Sequence, residues 1–282
     1  MLASQIITDL QRGHTELGPI PDSFAGAQLF LRDVKELDIT DKSACERYIS
    51  ENRPDVVINC AAYTNVDGCE TNREDAFKVN ALGARNLAIA CNSAGAKLVH
   101  VSTDYVFAGD EPTPRTEYDM PRPVSVYGKT KYAGEEYVRQ FCPKSFIVRT
   151  AWLYGYNGKN FVKTMLRLAN ERGGASVVND QHGNPTNAAD LSHHILKIAD
   201  SEEYGVYHCT GNGECTWYEF ACEIVKLAGV NADMKPCTSD EFPTPTKRPA
   251  YSALDNMMLR MTVGDEMRPW QQALKAYFEN QN

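Results

Sequence analysis

Tyr127 and Lys131 form the only YxxxK spacing in a chain of 282 residues. Four positions apart on a helix, they share a face, which sets an ammonium one turn from a phenol. A cation so placed favours phenolate over phenol and draws the tyrosine pKa toward the range where it serves as acid or base. One segment earlier, HVSTDYVF carries Ser102, Thr103 and Asp104. A hydroxyl beside such a tyrosine polarises a carbonyl oxygen, so the set suits proton transfer at a carbonyl. The competing reading makes Ser102 and Thr103 a turn cap and leaves Tyr127 and Lys131 on a solvated helix.

The elements around these residues favour the catalytic reading. Apolar runs at residues 56–62 (VVINCAA), at the beginning of 97–107 (KLVHVSTDYVF) and at 145–150 (SFIVRT) suit buried strands. Between them, residues 72–94 and 127–141 repeat apolar side chains every three or four positions. Short apolar strands alternating with helices predict an α/β fold, a Rossmann-like doubly wound parallel sheet covered on both faces. Ligands of such sheets bind beyond the carboxyl ends of the strands, where Ser102 and Thr103 should lie. After about residue 151 the alternation loosens, with Pro185 and a Pro-rich stretch (FPTPTKRP), although helices are expected at 189–199 and 217–227. The expected division is a dinucleotide-binding domain over residues 1–150 and a smaller, mainly substrate-binding domain over 151–282, with some segments returning to the first.

Composition narrows the partners. Lys+Arg 29 against Asp+Glu 37 gives a net charge of -8 with no basic run, which argues against nucleic acid. Nine cysteines, odd in number and without a CxxC, read as reduced thiols. No stretch nears the ~18 apolar residues of a membrane helix, and the first residues lack a signal-peptide pattern, so a cytoplasmic protein without a membrane partner is expected. The histidines build no metal site: His193 and His194 diverge by about 100° on a helix. His182 reads as part of a turn near the cleft, and His100 as a satisfied core residue.

The motifs then reach a family resemblance. STDYVF followed by YGKTKYAGE resembles the extended short-chain dehydrogenase/reductase superfamily. More narrowly, RPDVVINCAAYTNVDGCE, HVSTDYVFAG, VYGKTKYAGE, RTAWLYG, NFVKTML, VVNDQHGNPT and finally RPAYSALD, in order from about residue 37 to 254, resemble the dTDP-4-dehydrorhamnose reductase family. The resemblance implies an NADPH- or NADH-dependent oxidoreductase of nucleotide-sugar and cell-surface polysaccharide biosynthesis. Its reaction would reduce the C4 ketone of dTDP-4-dehydro-L-rhamnose to dTDP-L-rhamnose. By the same resemblance, Tyr127 protonates the C4 oxygen, Thr103 donates to that oxygen, and Lys131 holds the nicotinamide ribose. Asp38 and Ile39 fall near the adenine, Ala61, Ala62, Tyr63, Thr64 and Val101 along the cofactor, and Asp104 and Trp152 on the sugar nucleotide. Trp152 reads either as a sugar platform or as a core plug, and Arg248 either as a pyrophosphate ligand or as a solvated loop residue. A homodimer and Mg2+ enter by resemblance alone.

The start departs from the family pattern. A domain of this type opens with strand, glycine-rich turn and helix. Here Leu2, Ile6, Ile7 and Leu10 make a helical stripe at once, residues 28–31 read as the second strand, and no GxGxxG or GxxGxxG accompanies them. The expectation is a domain without its first strand and phosphate loop, and with weakened NADPH affinity. Arg32 and Asp33 end the presumed second strand, where an acid binds ribose hydroxyls and an arginine accommodates a 2′-phosphate. Two alternatives follow: a non-catalytic regulatory subunit on the same fold, like the β subunit of methionine adenosyltransferase, or a sugar-nucleotide epimerase or dehydratase.

Overall fold

The computed structural model describes residues 1–280. Helix α1 (Leu2–Arg12) leads into a short antiparallel hairpin, β1 (His14–Thr15) with β2 (Gly18–Pro19). Helix α2 (Lys42–Asn52) precedes β3 (Val56–Asn59). Then α3 (Val66–Thr71), α4 (Arg73–Phe77), a π-helical stretch at Lys78–Gly83 and α5 (Ala84–Ala94) lead to β4 (Lys97–Thr103). Helix α6 (Val126–Phe141) connects to β5 (Ser145–Thr150). The second half holds β6 (Leu153–Tyr154), α7 (Phe161–Arg172), β7 (Gly174–Val178), β8 (His182–Gly183) and β9 (Thr186–Asn187). It continues through α8 (Ala188–Asp200), β10 (Gly205–His208), β11 (Cys215–Thr216), α9 (Trp217–Leu227), β12 (Asp233–Cys237), α10 (Met257–Met261) and α11 (Trp270–Glu279).

The central sheet is parallel, in the order β10-β5-β4-β3. Alternation along its strands sends side chains to two cores. Leu98 and Ile147 join Cys45, Ile49, Leu87 and Val138 on the face covered by α2, α5 and α6. Val99, Phe146 and Val148 join Leu2, Ile6, Leu191 and Ile195 on the face covered by α1 and α8. The doubly wound α/β reading therefore stands, and β10 and α8 bring residues of the second half back to the sheet. A third core, around Tyr154, Phe220, Trp270 and Tyr277, builds the layer beyond it.

One sequence expectation is corrected. Residues 28–31 form no strand; Leu31 is 43% and Val34 72% exposed. Among the described residues no strand pairs with this segment to complete a ladder, and β3 is the outer strand of the sheet on that side. Arg32 and Asp33 consequently sit on an exposed turn, where the Asp33 carboxylate accepts from Lys35 N (2.8 Å).

Local chemistry sets the helix that matters most. Ser125 caps α6 by accepting from Gly128 N at 3.1 Å. Gly128 is required by a close approach, since a Cβ there would collide with the Tyr105 carbonyl oxygen. This contact brings the first turn of α6, with Tyr127, against the loop that follows β4.

Candidate active site

The carboxyl end of β4 and the buried face of α6 meet over Thr103, Tyr127 and Lys131. The Lys131 ammonium, 2% exposed, donates to the Val101 carbonyl at 2.6 Å. Burial pulls its pKa down to about 8, against the opposing charge of Glu135. The Thr103 hydroxyl donates to Asp104 Oδ1 at 2.8 Å and accepts from Tyr105 N, and it also hydrogen-bonds the Tyr127 side chain. Burial pushes the Tyr127 phenol above its ordinary value; the Thr103 hydrogen bond opposes this and the Asp104 charge adds to it. The expected depression of this phenol by Lys131 does not appear here, because desolvation outweighs the other influences. What results is a phenol that keeps its proton at neutral pH.

The hydroxyls of Ser102 and Thr103 part company. Strand alternation turns Ser102 away from the phenol and into the protein, where it donates to Glu135 Oε1 at 2.5 Å. Only Thr103 accompanies Tyr127. Asp104 is 3% exposed, and its Oδ2 is buried without a partner. Burial raises this carboxyl to about 6 despite hydrogen bonds from Thr103 and Ser252. An unsatisfied carboxylate oxygen beside a reactive phenol marks a place where a ligand hydroxyl would be bound.

The loop after β3 runs along the same edge. Ala61 N donates to Asn59 Oδ1 (3.0 Å), while Tyr63 N donates to Asn80 Oδ1 (2.8 Å), and Ala62 and Thr64 lie in the same open stretch. Asn80, in the π-helical stretch, also donates to Thr130 of α6 at 3.1 Å, so one buried amide joins this loop to the Tyr127 helix. Nothing in single-sequence spacing singles out Asn80. Further along, Asp38 sits on an exposed turn, accepting from Thr40 N, and Ile39 packs against Gly83.

Two ligand candidates gain definite surroundings. Arg248 Nη1 donates to the Tyr105 hydroxyl (3.1 Å), and its Nη2 pairs with Asp67 (3.2 Å). It is held at the cleft by two residues the sequence reading missed, and is not a freely solvated side chain. Trp152 has a positive φ of 46° and stacks on Trp217. Its indole also lies over Gly183, where a Cβ would strike the ring.

The histidines take structural roles. His193 bonds Thr15 and Glu266, while His194 bonds the Asp190 carbonyl and Glu266 N. The His182 ring packs against Tyr251. His100 is satisfied on one side only: Nδ1 meets Asn59 (3.1 Å), and Nε2 is buried without a partner. All nine cysteines are free thiols. No helix among the described residues is long and apolar enough to cross a membrane.

Side chains of the described residues build no metal cluster: no three His, Cys, Asp or Glu gather among them. The acids Glu16 and Asp190 that converge near α8 already share the Arg268 guanidinium. A nicotinamide cofactor fits the site: one N–H of Lys131 is used by Val101 and the others remain for ribose hydroxyls.

Comparison with known proteins agrees with this geometry. A dTDP-4-dehydrorhamnose reductase of Streptomyces griseus is 42% identical over 270 residues, covering 93% of this chain and 88% of its own. The crystal structure of a dTDP-4-dehydrorhamnose reductase from Clostridium acetobutylicum superposes with a TM-score of 0.93 at 45% identity, covering 99% of this chain and 95% of that one. A Bacillus anthracis dTDP-4-dehydrorhamnose reductase in complex with NADP matches with a TM-score of 0.90 at 42% identity, covering 98% and 95%. The family model described as the RmlD substrate binding domain matches residues 10–282, which is nearly the whole molecule, and the chain belongs to that family.

Proposed function

We propose that this protein is a nicotinamide-dependent oxidoreductase that reduces the C4 ketone of dTDP-4-dehydro-L-rhamnose to dTDP-L-rhamnose. The observation that carries the reading is the meeting of Thr103, Tyr127 and Lys131 at the carboxyl edge of a parallel sheet. It is supported by 42% identity to a reductase of that name.

When bound, the cofactor supplies hydride to C4. The protein's own residues do the rest. Tyr127 keeps its phenolic proton and delivers it to the C4 oxygen, which becomes a hydroxyl. Thr103 turns its hydroxyl from Asp104 Oδ1 to the same oxygen and polarises the ketone. Lys131, anchored at Val101, offers its remaining N–H groups to the nicotinamide ribose. Asp104 Oδ2 accepts from a sugar hydroxyl, Arg248 turns from Asp67 to the pyrophosphate, and Trp152 meets the sugar. Ala61, Ala62, Tyr63 and Thr64 line the cofactor, with Asp38 and Ile39 toward the adenine. NADPH is the favoured form: Asp33 is committed to capping its own turn, while Arg32 stands exposed over the Tyr48 ring. In this reading residues 1–150 serve the cofactor and 151–282 mainly the sugar nucleotide.

The test is to follow NADPH oxidation with dTDP-4-dehydro-L-rhamnose and identify the product by NMR. One dTDP-L-rhamnose per NADP+ is expected. Interconversion of dTDP-sugars without net NADPH consumption would replace this reading with an epimerase. A folded protein that binds NADPH but turns over no ketosugar would point to a regulatory subunit.

A further inference from the structure

Helix α6 reads three consecutive residues of β4 with one face. Tyr127 meets Thr103, Lys131 meets the Val101 carbonyl, and Glu135, one turn further, accepts from Ser102. Glu135 is wholly buried, and the salt bridge it makes to Arg149 is equally dry: Nη2 to Oε2 is 2.7 Å and Nε to Oε1 is 3.0 Å. Arg149 Nη1 reaches His208 Nε2 at 3.3 Å, while His208 Nδ1 donates to the Arg115 carbonyl at 2.9 Å. That tautomer leaves Nε2 as an acceptor, and burial keeps the ring neutral, with its pKa near 3. Two buried cations, Lys131 and Arg149, therefore flank one buried carboxylate.

We infer that Glu135 is a positioning residue of this site, the counter-charge that keeps the Lys131 ammonium charged beneath Tyr127, and that Arg149 holds Glu135 in place. The inference rests on the reductase reading for its catalytic consequence, although the charge relationship does not. Of the other titratable groups in the site, Asp104 at the end of β4 ionises near pH 6, and its charge acts on Tyr127, whereas the groups that face the Lys131 ammonium carry no negative charge. His100 of β4 is kept neutral by burial, and the Cys60 thiol after β3, pushed up to about 12, stays protonated. Tyr127 on the same helix keeps its proton. Removing the Glu135 charge thus leaves a desolvated lysine with no compensating anion, which lowers its affinity for a proton.

The experiment compares the full-length wild type, Glu135→Gln, and the double variant Glu135→Gln with Arg149→Met. The double variant removes both members of the pair, so no arginine is left buried without a partner. The Lys131 midpoint is read without substrate by NMR of 13Cε-labelled lysine, and kcat and KM are read across pH. The expected result is a Lys131 midpoint lower by about one unit or more in both variants. The alkaline limb of kcat should move with it, giving about a five-fold or greater loss at pH 8. KM for the sugar nucleotide should hold within about two-fold. A double variant with the wild-type lysine midpoint and pH profile would overturn the inference and leave Glu135 as a structural staple. A shifted lysine midpoint in a protein whose wild type reduces no ketosugar would instead overturn the reductase reading and uphold the charge relationship.

Discussion

The indole of Trp152 lies on that of Trp217 with ring centroids 3.5 Å apart and planes 7° from parallel. Gly183 also lies against this indole, so close that a Cβ there would strike the ring. This packing of Trp152 is the core-plug side of the sequence reading, and contact with the sugar is the proposed role. Its φ of 46° is a conformation L-residues avoid, and such strain persists where packing overdetermines it.

Trp217→Leu is expected to cost about 1–2 kcal/mol, the stacking contribution plus part of the ring's burial. It should raise KM for the sugar nucleotide several-fold while leaving the NADPH Kd alone. Urea unfolding and steady-state kinetics read the two effects. Unchanged KM with lowered stability would confine Trp152 to packing. Gly183→Ala forces a methyl into the same indole and should act in the same direction.

Tyr127→Phe removes the proton that the mechanism delivers. A fall in kcat of about 10² to 10⁴ is expected, in the range of general acid catalysis. NADPH binding, followed by fluorescence, should change less than about two-fold, because the proposed ribose contacts are those of Lys131. Retained turnover would remove Tyr127 from the chemistry.

Asp104 links pH to stability. Its folded-state carboxyl is raised to about 6 from the ordinary 3.8. A raised value means the folded protein holds the proton more tightly than the unfolded chain. The resulting stability is fully present below about pH 4 and is lost as pH rises through 6. Asp104→Asn, which cannot ionise, should therefore stabilise the fold at pH 8 by roughly 2 kcal/mol and lose that advantage near pH 4. The same variant should raise KM for the sugar nucleotide. Thermal unfolding at the two pH values checks the sign, and an equal effect at both would refute it.

If Arg248 takes the proposed pyrophosphate role, Arg248→Ala should weaken sugar-nucleotide binding about ten-fold or more, with little change for NADPH, through loss of a bidentate guanidinium–phosphate contact. Arg248→Lys should recover only part of it, because an ammonium lacks the planar fork. Isothermal titration with dTDP separates this from catalysis, and equal dTDP affinity in all three proteins would return Arg248 to a structural pair with Asp67.

Arg268 joins the loop after α1 to α8 by pairing with Glu16 and with the fully buried Asp190. Arg268→Met leaves that carboxylate without its cation, and a loss of about 3–5 kcal/mol is expected. Chemical denaturation measures it. A loss under about 1 kcal/mol would show that Asp190 is protonated in the folded state.

The sequence by itself determined the fold class and the central chemistry, for reasons that are local. Residues 98–101 and 146–148 hold short apolar clusters that neighbouring strands can bury on both faces, and they became the middles of β4 and β5. Tyr127 and Lys131 share a face by helical geometry alone, whatever that face packs against. What lay beyond the sequence depends on partners distant along the chain. Residues 28–31 had the composition of a strand, but a strand exists only where another backbone completes its ladder. Ser102 and Thr103 are equivalent in the sequence, and only the placement of β4 against α6 sends one to Glu135 and the other to Tyr127. Glu135 follows Lys131 by the same four residues that separate Lys131 from Tyr127, so the signal was present. Its meaning came from Arg149 and His208 on neighbouring strands, because a charge's worth is set by the water removed and the counter-charges supplied.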